Sequence, residues 1–341
     1  MSGFYEAPDV DDKAIWDLWL SMHYLPAATA SEELGVFDAL CDAPLTLDEL
    51  AGRLSLNRHA LSVTMSLLCA MGLVFRREGR LHPSSTACTY LTSKSVYSWS
   101  SLFYTFKQSS QIHVELVSLL KTGKTPREDK PSDGWEAGEI PPETARGIAK
   151  FMHAHSLPAA VAAARSGAFK DVRKFLDVGG GSGVFAIAAA QRNEKLRAAV
   201  MDLKTMCEAA RELFINGSGV ADRVDTVAVD MFREPWPTGY DALFFSNIFH
   251  DWDETINRSL SKKAFDVLPA GGRIFLHEIL MSDNEDGPLS AASFSMLMLR
   301  GTKGKQYTLR ELTGFLEEAG FKGVAATQTS PYYSLVSATK A

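Results

Sequence analysis

The sequence predicts a two-part chain, a mainly helical first half followed by an open α/β sheet. Three observations predict it. In the first hundred positions, apolar residues recur at helical spacing between capping signals. From Phe175 onward, short β-branched and aromatic runs alternate with helical patterns, as a largely parallel sheet requires. Between the two, Lys121-Thr-Gly-Lys-Thr-Pro126 through Ile140-Pro-Pro142 collects turn formers. The division is therefore 1–120, a linker at 121–145, and a second domain at 146–341. With 341 residues, 46% hydrophobic and 22% charged, the chain is globular and can bury a sizeable core.

In the first half, Thr46-Leu-Asp-Glu49 is a capping box that opens a helix from Leu47 to Leu54. Ser55-Leu-Asn-Arg58 starts a second helix with Leu61, Met65, Leu68 and Cys69 on one stripe. Gly72 ends it, and Leu73 to Leu81 reads as a short hairpin. Helix, turn, helix and a two-stranded wing is a winged-helix order, which raises the question of DNA. The second helix offers only Arg58 and His59 before turning apolar through Leu67, Leu68 and Met71, too little charge to neutralise several phosphates. Arg76, Arg77 and Arg80 on the wing are the opposing signal, but the net charge of the chain is −6. The preferred reading is a homodimer, formed through flanking helices that carry Trp16, Trp19, Met22 and Phe37, with no nucleic-acid partner.

The strand-like runs of the second half are Phe175–Val178, Ala198–Asp202, Val224–Asp230, Asp241–Ser246 and Arg273–Glu278. Two more, Val324–Thr329 and Tyr332–Ala338, are joined by so short a connection that they must be antiparallel. Seven strands with such an ending make a Rossmann-like sheet with an antiparallel last strand. Thr308-Leu-Arg-Glu311 is a further capping box, before a helix that ends near Gly320.

Chemistry concentrates at the strand ends, where open α/β sheets bind ligands. Asp177-Val-Gly-Gly-Gly-Ser-Gly183 brings backbone amides close to a small ligand. Gly181 to Ala186 also fits the nicotinamide pattern G-x-G-x-x-A. Asp177, however, would repel a pyrophosphate and welcome a cation such as the ammonium of S-adenosylmethionine. Asp202 ends the second strand, about twenty residues past the glycines, where an acid can accept both ribose hydroxyls. Asp230-Met-Phe232 ends the third and offers a carboxylate for an adenine amino group, with Met231 and Phe232 for the ring. After the fourth strand comes Ser246-Asn-Ile-Phe-His250-Asp-Trp-Asp253, whose His250 is placed to act as a general base or merely to cap the next helix. Glu278 ends the fifth strand, where its carboxylate could hold that imidazole.

On the D-V-G-G-G-S-G turn, the D-M-F step, the H-D-W-D block and Ala319-Gly-Phe321, the chain resembles S-adenosylmethionine-dependent O-methyltransferases of the caffeate/hydroxyindole type. These have an N-terminal winged-helix dimerisation domain, and the resemblance covers nearly the whole chain. It implies that Gly179 approaches the methionine part of the cofactor, Asp202 the ribose, and Asp230 with Met231 the adenine, with Gly181 among the cofactor-binding residues of the turn. It also implies Ser156 near the cofactor carboxylate, Met152 and His155 toward the acceptor, and the region of Met296 beside it. His250 matches the catalytic base and Glu278 one of two flanking acids. Two departures stand out: the second flanking acid is replaced by Gln306, and a basic residue near the adenine by Ser246.

The resemblance implies direct methyl transfer to an acceptor oxygen as His250 takes its proton. A phenol with a pKa near 10 facing an imidazole near 6.5 leaves full proton transfer uphill by roughly 5 kcal/mol. A simple alcohol near 16 would be uphill by roughly 13 kcal/mol. Phenolic or enolic acceptors are therefore favoured. Methylation of an enolisable carbon is the alternative, and a non-catalytic cofactor-binding dimer comes third. His153 and His155, two apart on a helix, point to different sides and do not read as a metal pair. Cys41, Cys69, Cys88 and Cys207 lack CxxC pairing and signal neither zinc nor a disulfide framework. An acidic start without a basic-then-apolar pattern, and no long apolar run, predict a cytoplasmic protein with no membrane partner.

Overall fold

Side chain–backbone bonds start the first helices. Thr46 Oγ1 accepts from the Glu49 N–H and Glu49 Oε2 from the Thr46 N–H, closing the capping box of helix Leu47–Leu54. Asn57 caps helix Arg58–Ala70 by accepting from the Ala60 N–H at 3.0 Å. The wing is a hairpin of β1 (Val74–Arg77) and β2 (Arg80–Pro83). Its turn places Glu78 and Gly79 at φ 50° and 74°, the primed geometry that suits tight hairpins. This computed structural model describes residues 3–126 and 131–341, with side chains from Gly134 in the second stretch. The expectations for Met1 and Ser2, and for 127–130 of the linker, lie outside the described residues.

Two compact units emerge. One joins Ala14–Lys130 with Met281–Thr308; the other joins Met1–Lys13, Pro131–Leu280 and Leu309–Ala341. The division read in the sequence gave 281–308 to the second domain, whereas helix Leu289–Gly301 packs on helix Arg58–Ala70 of the first unit. Its apolar periodicity identifies a buried helix but not the neighbour that buries it.

Within this helical unit, the arginines that hinted at DNA face carboxylates: Arg58 on Asp48 at 2.5 Å, Arg80 on Glu49 at 2.7 Å and Arg76 on Glu285 at 3.6 Å. Trp16 and Phe37 do not point outward as the dimer reading supposed. They are 6% and 0% exposed, and Trp16 meets Phe294 edge-on at 5.6 Å. Met22 does stand out, at 37% exposure, and among other exposed apolar side chains are Ile15, Leu18, Leu102 and Tyr104. Ile15 and Leu18 share the face of helix Lys13–Leu20 opposite Trp16 and Leu20. A further correction concerns the cysteines: Cys41 and Cys88 form a disulfide with Cα atoms 5.9 Å apart, while Cys69 and Cys207 are free and buried. A bridge between residues 47 apart leaves no spacing signature.

The second unit holds a seven-stranded sheet in the order β5-β4-β3-β6-β7-β9-β8. The strands are β3 (Lys174–Val178), β4 (Arg197–Asp202), β5 (Val224–Ala228), β6 (Ala242–Ser246), β7 (Arg273–Ile279), β8 (Phe321–Gln328) and β9 (Tyr333–Lys340). Strands β3 to β7 pair in parallel, and β9 runs antiparallel to both β7 and β8. Chain order reverses on either side of β3, so the switch point opens beyond the carboxyl ends of β3 and β6. Helix Pro142–Arg165 begins with Pro at its first turn and packs through Ala145 and Ala149 on Met206 and Ala209. Among the described residues, no helix is long and apolar enough to cross a membrane.

Candidate functional site

The glycine turn follows β3. Gly179 adopts φ +67°, and a Cβ there would collide with Ile248 Cδ1, so only glycine permits this close approach of two loops. A Cβ on Gly180 would lie 2.7 Å from Asp177 Cγ, crowding that carboxylate. Asp202, at the end of β4, stitches the turn to its neighbour: its Oδ2 accepts from the Gly181 N–H at 3.0 Å and its Oδ1 from the Leu203 N–H at 2.8 Å. Met152, on helix Pro142–Arg165, comes within reach of a Cβ at Gly181 at 4.0 Å.

Two carboxylates, Asp177 and Asp202, are enclosed together at this end of the sheet, and burial raises both. Asp177 is 1% exposed, and both its Oδ2 and the buried Ser182 Oγ have no hydrogen-bond partner. Burial pushes Asp177 up to about 7, with the Ala186 N–H opposing and Asp202 adding to the rise. Asp202 is raised to about 6 by burial, against the pull of the Leu203 and Gly181 N–H groups. A buried carboxylate with a spare oxygen, next to turn amides, fits the ammonium of an amino-acid-bearing cofactor and disfavours an anion.

Asp230 stands apart from this pattern. Its Oδ1 accepts from the Phe232 and Arg233 N–H groups and its Oδ2 pairs with Arg233 Nη1 at 2.7 Å. Burial pushes it upward, but the Arg233 guanidinium and these amides outweigh burial and hold it below the ordinary carboxylate range. Asp230 thus shapes its loop first, which is why β5 ends at Ala228 and not at residue 230. Met231 and Phe232 remain half-buried, with Phe232 edge-on to Trp252 at 4.7 Å.

The chain leaves β6 through Asn247, a non-glycine residue at φ +56°, and enters the 3₁₀ turn Phe249–Asp251. That reversal brings His250, 4% exposed, against the end of β7. Its Nδ1 lies 3.2 Å from Glu278 Oε2, while Glu278 Oε1 accepts from the Ile248 and Phe249 N–H groups at 3.2 and 3.1 Å. The carboxylate therefore holds the turn through Oε1 and lies against the imidazole through Oε2, which makes no hydrogen bond at this geometry. Asn257 completes the support by donating to the carbonyls of Phe249 and Trp252 at 2.9 and 3.1 Å.

Asp251, which the sequence reading did not single out, lies 3.6 Å from His250 Nε2. Its side chain keeps 26% exposure, yet its carboxylate is enclosed enough that burial raises it to about 6, with His250 lowering and Glu278 raising it. The H-D-W-D block contained the signal, since an acid adjacent to a strand-end histidine can share its turn.

His155 and Ser156 lie together on helix Pro142–Arg165, with His155 Nδ1 3.0 Å from Ser156 Oγ. Burial, with the His250 charge adding, pulls His155 down to about 4, so it is neutral near pH 7. His153 turns away and stacks on Phe214 at 3.9 Å, with Tyr5 edge-on to it. Among the described residues, no group of three metal-ligating side chains could hold an ion. The Ser246 hydroxyl is 3.2 Å from His277 Nδ1, and that buried His277 is pulled down to about 3. Met296 and Gln306 belong to the other unit: both are fully buried there, and the Gln306 N–H donates to Ser295 Oγ at 3.0 Å.

Comparison with known proteins bears on this arrangement. Residues 132–322 match the family model described as the O-methyltransferase domain. The chain is 32% identical over 307 residues to 3-hydroxy-5-methyl-1-naphthoate 3-O-methyltransferase of Streptomyces sahachiroi, covering 89% of this chain and 88% of that one. It is 33% identical over 150 residues to L-tyrosine C(3)-methyltransferase of Streptomyces lavendulae, covering 43% and 41%. Among solved structures, it resembles an O-methyltransferase family 2 protein from Planctomyces limnophilus in complex with apigenin. The TM-score is 0.88 at 30% identity, over 99% of this chain and 98% of that one.

Proposed function

This chain belongs to the O-methyltransferase family, and from that premise we propose that it methylates a phenolic or enolic hydroxyl of a small aromatic metabolite. His250 is the general base and S-adenosylmethionine the methyl donor. The observation that carries this reading is the His250–Glu278 contact at 3.2 Å, set beside the glycine turn through Ile248.

The residues fit the cofactor. The partnerless Asp177 oxygen and Ser182 hydroxyl, with the amides of the Gly179–Gly181 turn, suit its amino-acid end, and Ser156 lies one turn along the helix whose Met152 approaches Gly181. Asp202 retains lone pairs for ribose hydroxyls, and Asp230, Met231, Phe232 and Ser246 form the nucleobase end. When bound, the cofactor supplies an electrophilic methyl group on a sulfonium centre. His250 Nε2 takes the acceptor's proton, and Glu278, held by two backbone amides, keeps Nδ1 protonated and stabilises the imidazolium. Asp251 adds negative charge on the Nε2 side, which also favours the protonated ring. Met152 and neutral His155 face the acceptor and add no charge to it.

Acceptor chemistry in related proteins supports the aromatic reading, since one of them methylates a hydroxynaphthoate oxygen and another structure holds apigenin. A second reading, methylation of carbon, is supported by the related tyrosine C(3)-methyltransferase, because deprotonating a phenol also activates its ring carbons. Homodimerisation through the exposed Ile15, Leu18, Leu102 and Tyr104 belongs to the same proposal. A cytoplasmic location belongs to it too, although the Cys41–Cys88 disulfide is a bond that an oxidising compartment favours. The test is mass spectrometry on protein incubated with S-adenosylmethionine and a panel of phenols, catechols and β-keto acids. A product one methylene heavier on oxygen is expected. Methylation only on carbon would move the assignment to the second reading, and binding without product would mean an acceptor outside the panel or a protein that binds the cofactor without catalysis.

A further inference from the structure

Helix Glu254–Val267 grips two loops of the candidate site at once. Near its start, Asn257 donates to the two carbonyls of the His250 turn. Six residues on, about 9 Å along the axis, Lys263 reaches the loop after β5. Its Nζ donates to the carbonyls of Met231 at 2.8 Å, Phe232 at 2.9 Å and Glu234 at 3.3 Å. An ammonium has three donors and no acceptor, so this loop's backbone uses the lysine completely. Trp236 Nε1 adds a second bond to the Met231 carbonyl at 2.9 Å, and the Lys263 ammonium lies 5.7 Å from the Trp236 ring centre.

Other holds on this loop come from within it, from Arg233 on the Glu136 carbonyl and from the Phe232 ring against Trp252. Asp230 accepts from the amides of Phe232 and Arg233, and Glu234 Oε2 accepts from the Asp230 N–H. Arg233 also donates to the Glu136 carbonyl. Those bonds shape the turn. Lys263 ties the carbonyls of Met231, Phe232 and Glu234 to helix Glu254–Val267, and leaves the Met231 and Phe232 side chains half-buried.

We propose that Lys263 is a positioning residue for nucleobase recognition: it fixes the 230–234 backbone so that Met231 and Phe232 present a ready-made apolar face to the adenine ring. The proposal rests on the reading that this chain binds S-adenosylmethionine, and it goes beyond that reading by placing control of the base site in a residue that never touches the ligand. Because the same helix holds the His250 turn by a separate grip at Asn257, loss of Lys263 loosens the base site and leaves the proton-transfer geometry in place.

The experiment is calorimetric titration of the full chain and its Lys263→Met variant with two probes, S-adenosylhomocysteine and 5′-methylthioadenosine, which shares the nucleoside but lacks the amino-acid end. Both affinities are expected to fall by about tenfold and by the same factor, because the lost contact is at the base they share. Lys263→Arg, which keeps a cation able to donate to several carbonyls, is expected to stay within threefold of the parent. At saturating cofactor, kcat and the acceptor KM of Lys263→Met are expected to hold within about twofold while the cofactor KM rises. Unchanged affinity in Lys263→Met overturns the proposal. So does a loss confined to S-adenosylhomocysteine, which would locate the effect at the amino-acid end. If Lys263→Met fails to fold, the Arg variant decides: a tenfold loss there at native melting temperature contradicts the proposal. Failure of the parent protein to bind either probe removes the cofactor reading and this proposal with it.

Discussion

Buried charge is handled differently in the two units of this protein. In the helical unit, buried ions among the described residues stand in pairs: Arg300 with Glu115 at 2.7 Å, their side chains 11% and 2% exposed, and Lys107 with Glu32. His23, beside Arg300, is driven neutral by burial and by that guanidinium, down to about 4. In the sheet unit, Asp177 and Asp202 sit buried with raised pKa values and only N–H dipoles for company. Compensated charge specifies a packing arrangement. Buried carboxylates without a cation are what a site for a cationic ligand requires, and that contrast supports the proposed site beside its motif.

The largest effect is expected where compensation is broken. Arg300→Met leaves the Glu115 carboxylate buried without its cation, and should cost about 3–5 kcal/mol of stability, read as a lowered melting temperature. Replacing both partners, Glu115→Leu with Arg300→Met, should recover most of that loss. If the single variant melts like the parent, the pair is not a compensated charge and the contrast between the units fails.

Next is the glycine turn. Gly179→Ala puts a methyl group against Ile248 at a positive φ, and should weaken S-adenosylhomocysteine binding by roughly tenfold or more, about 1–3 kcal/mol. Adding Ile248→Ala should restore part of the affinity, measured by titration calorimetry. No change in either variant would remove the close approach of the two loops from the account.

The third effect is pH-dependent and its sign can be worked out. With Asp177 at about 7 when folded and 3.8 ordinarily, the ligand-free folded state holds a proton that the unfolded chain has lost. Stability of the ligand-free protein therefore falls as pH rises from about 4 to about 7. A bound ammonium favours the ionised carboxylate, so cofactor binding should release a proton below pH 7 and weaken by up to about tenfold per unit as pH falls. Calorimetry in buffers of different ionisation enthalpy reads this directly. Asp177→Asn should bind more weakly at pH 8 and lose most of the pH dependence.

The smallest effect on chemistry belongs to the surface of the helical unit. Leu18, 72% exposed, changed to Glu should shift sedimentation from dimer toward monomer. Cofactor affinity should stay within about twofold. A parent protein that sediments as a monomer at micromolar concentration would contradict the dimer.

Much of this was legible in the sequence, because strand ends and glycine turns obey local rules. The sequence places Asp177, Asp202 and Glu278 at or near the ends of their strands, and the structure agrees, as it does on the antiparallel ending, whereas Asp230 falls two residues beyond its strand. Strand limits shifted where side chains intervened. Asp230 closes its own turn and ends β5 early, while Gly323 at φ +66° introduces a register shift that hides the true start of β8 at Phe321. Residues that work through distant backbone were not legible. Asn257 and Lys263 look like ordinary polar helix positions until the carbonyls they hold are seen. The Cys41–Cys88 bridge and the grouping of 281–308 with the helical unit were hidden for the same reason: both are contacts across long sequence separations.

The central claim is that His250 is a base in a site whose cofactor-binding parts stand without it. Its most direct test is single-turnover methyl transfer by His250→Ala alongside S-adenosylhomocysteine titration of the same preparation. Binding is expected to stay within about twofold while the transfer rate falls by roughly a hundredfold to ten-thousandfold. Transfer at the parent rate would contradict the account, leaving proximity of bound reactants as the source of catalysis.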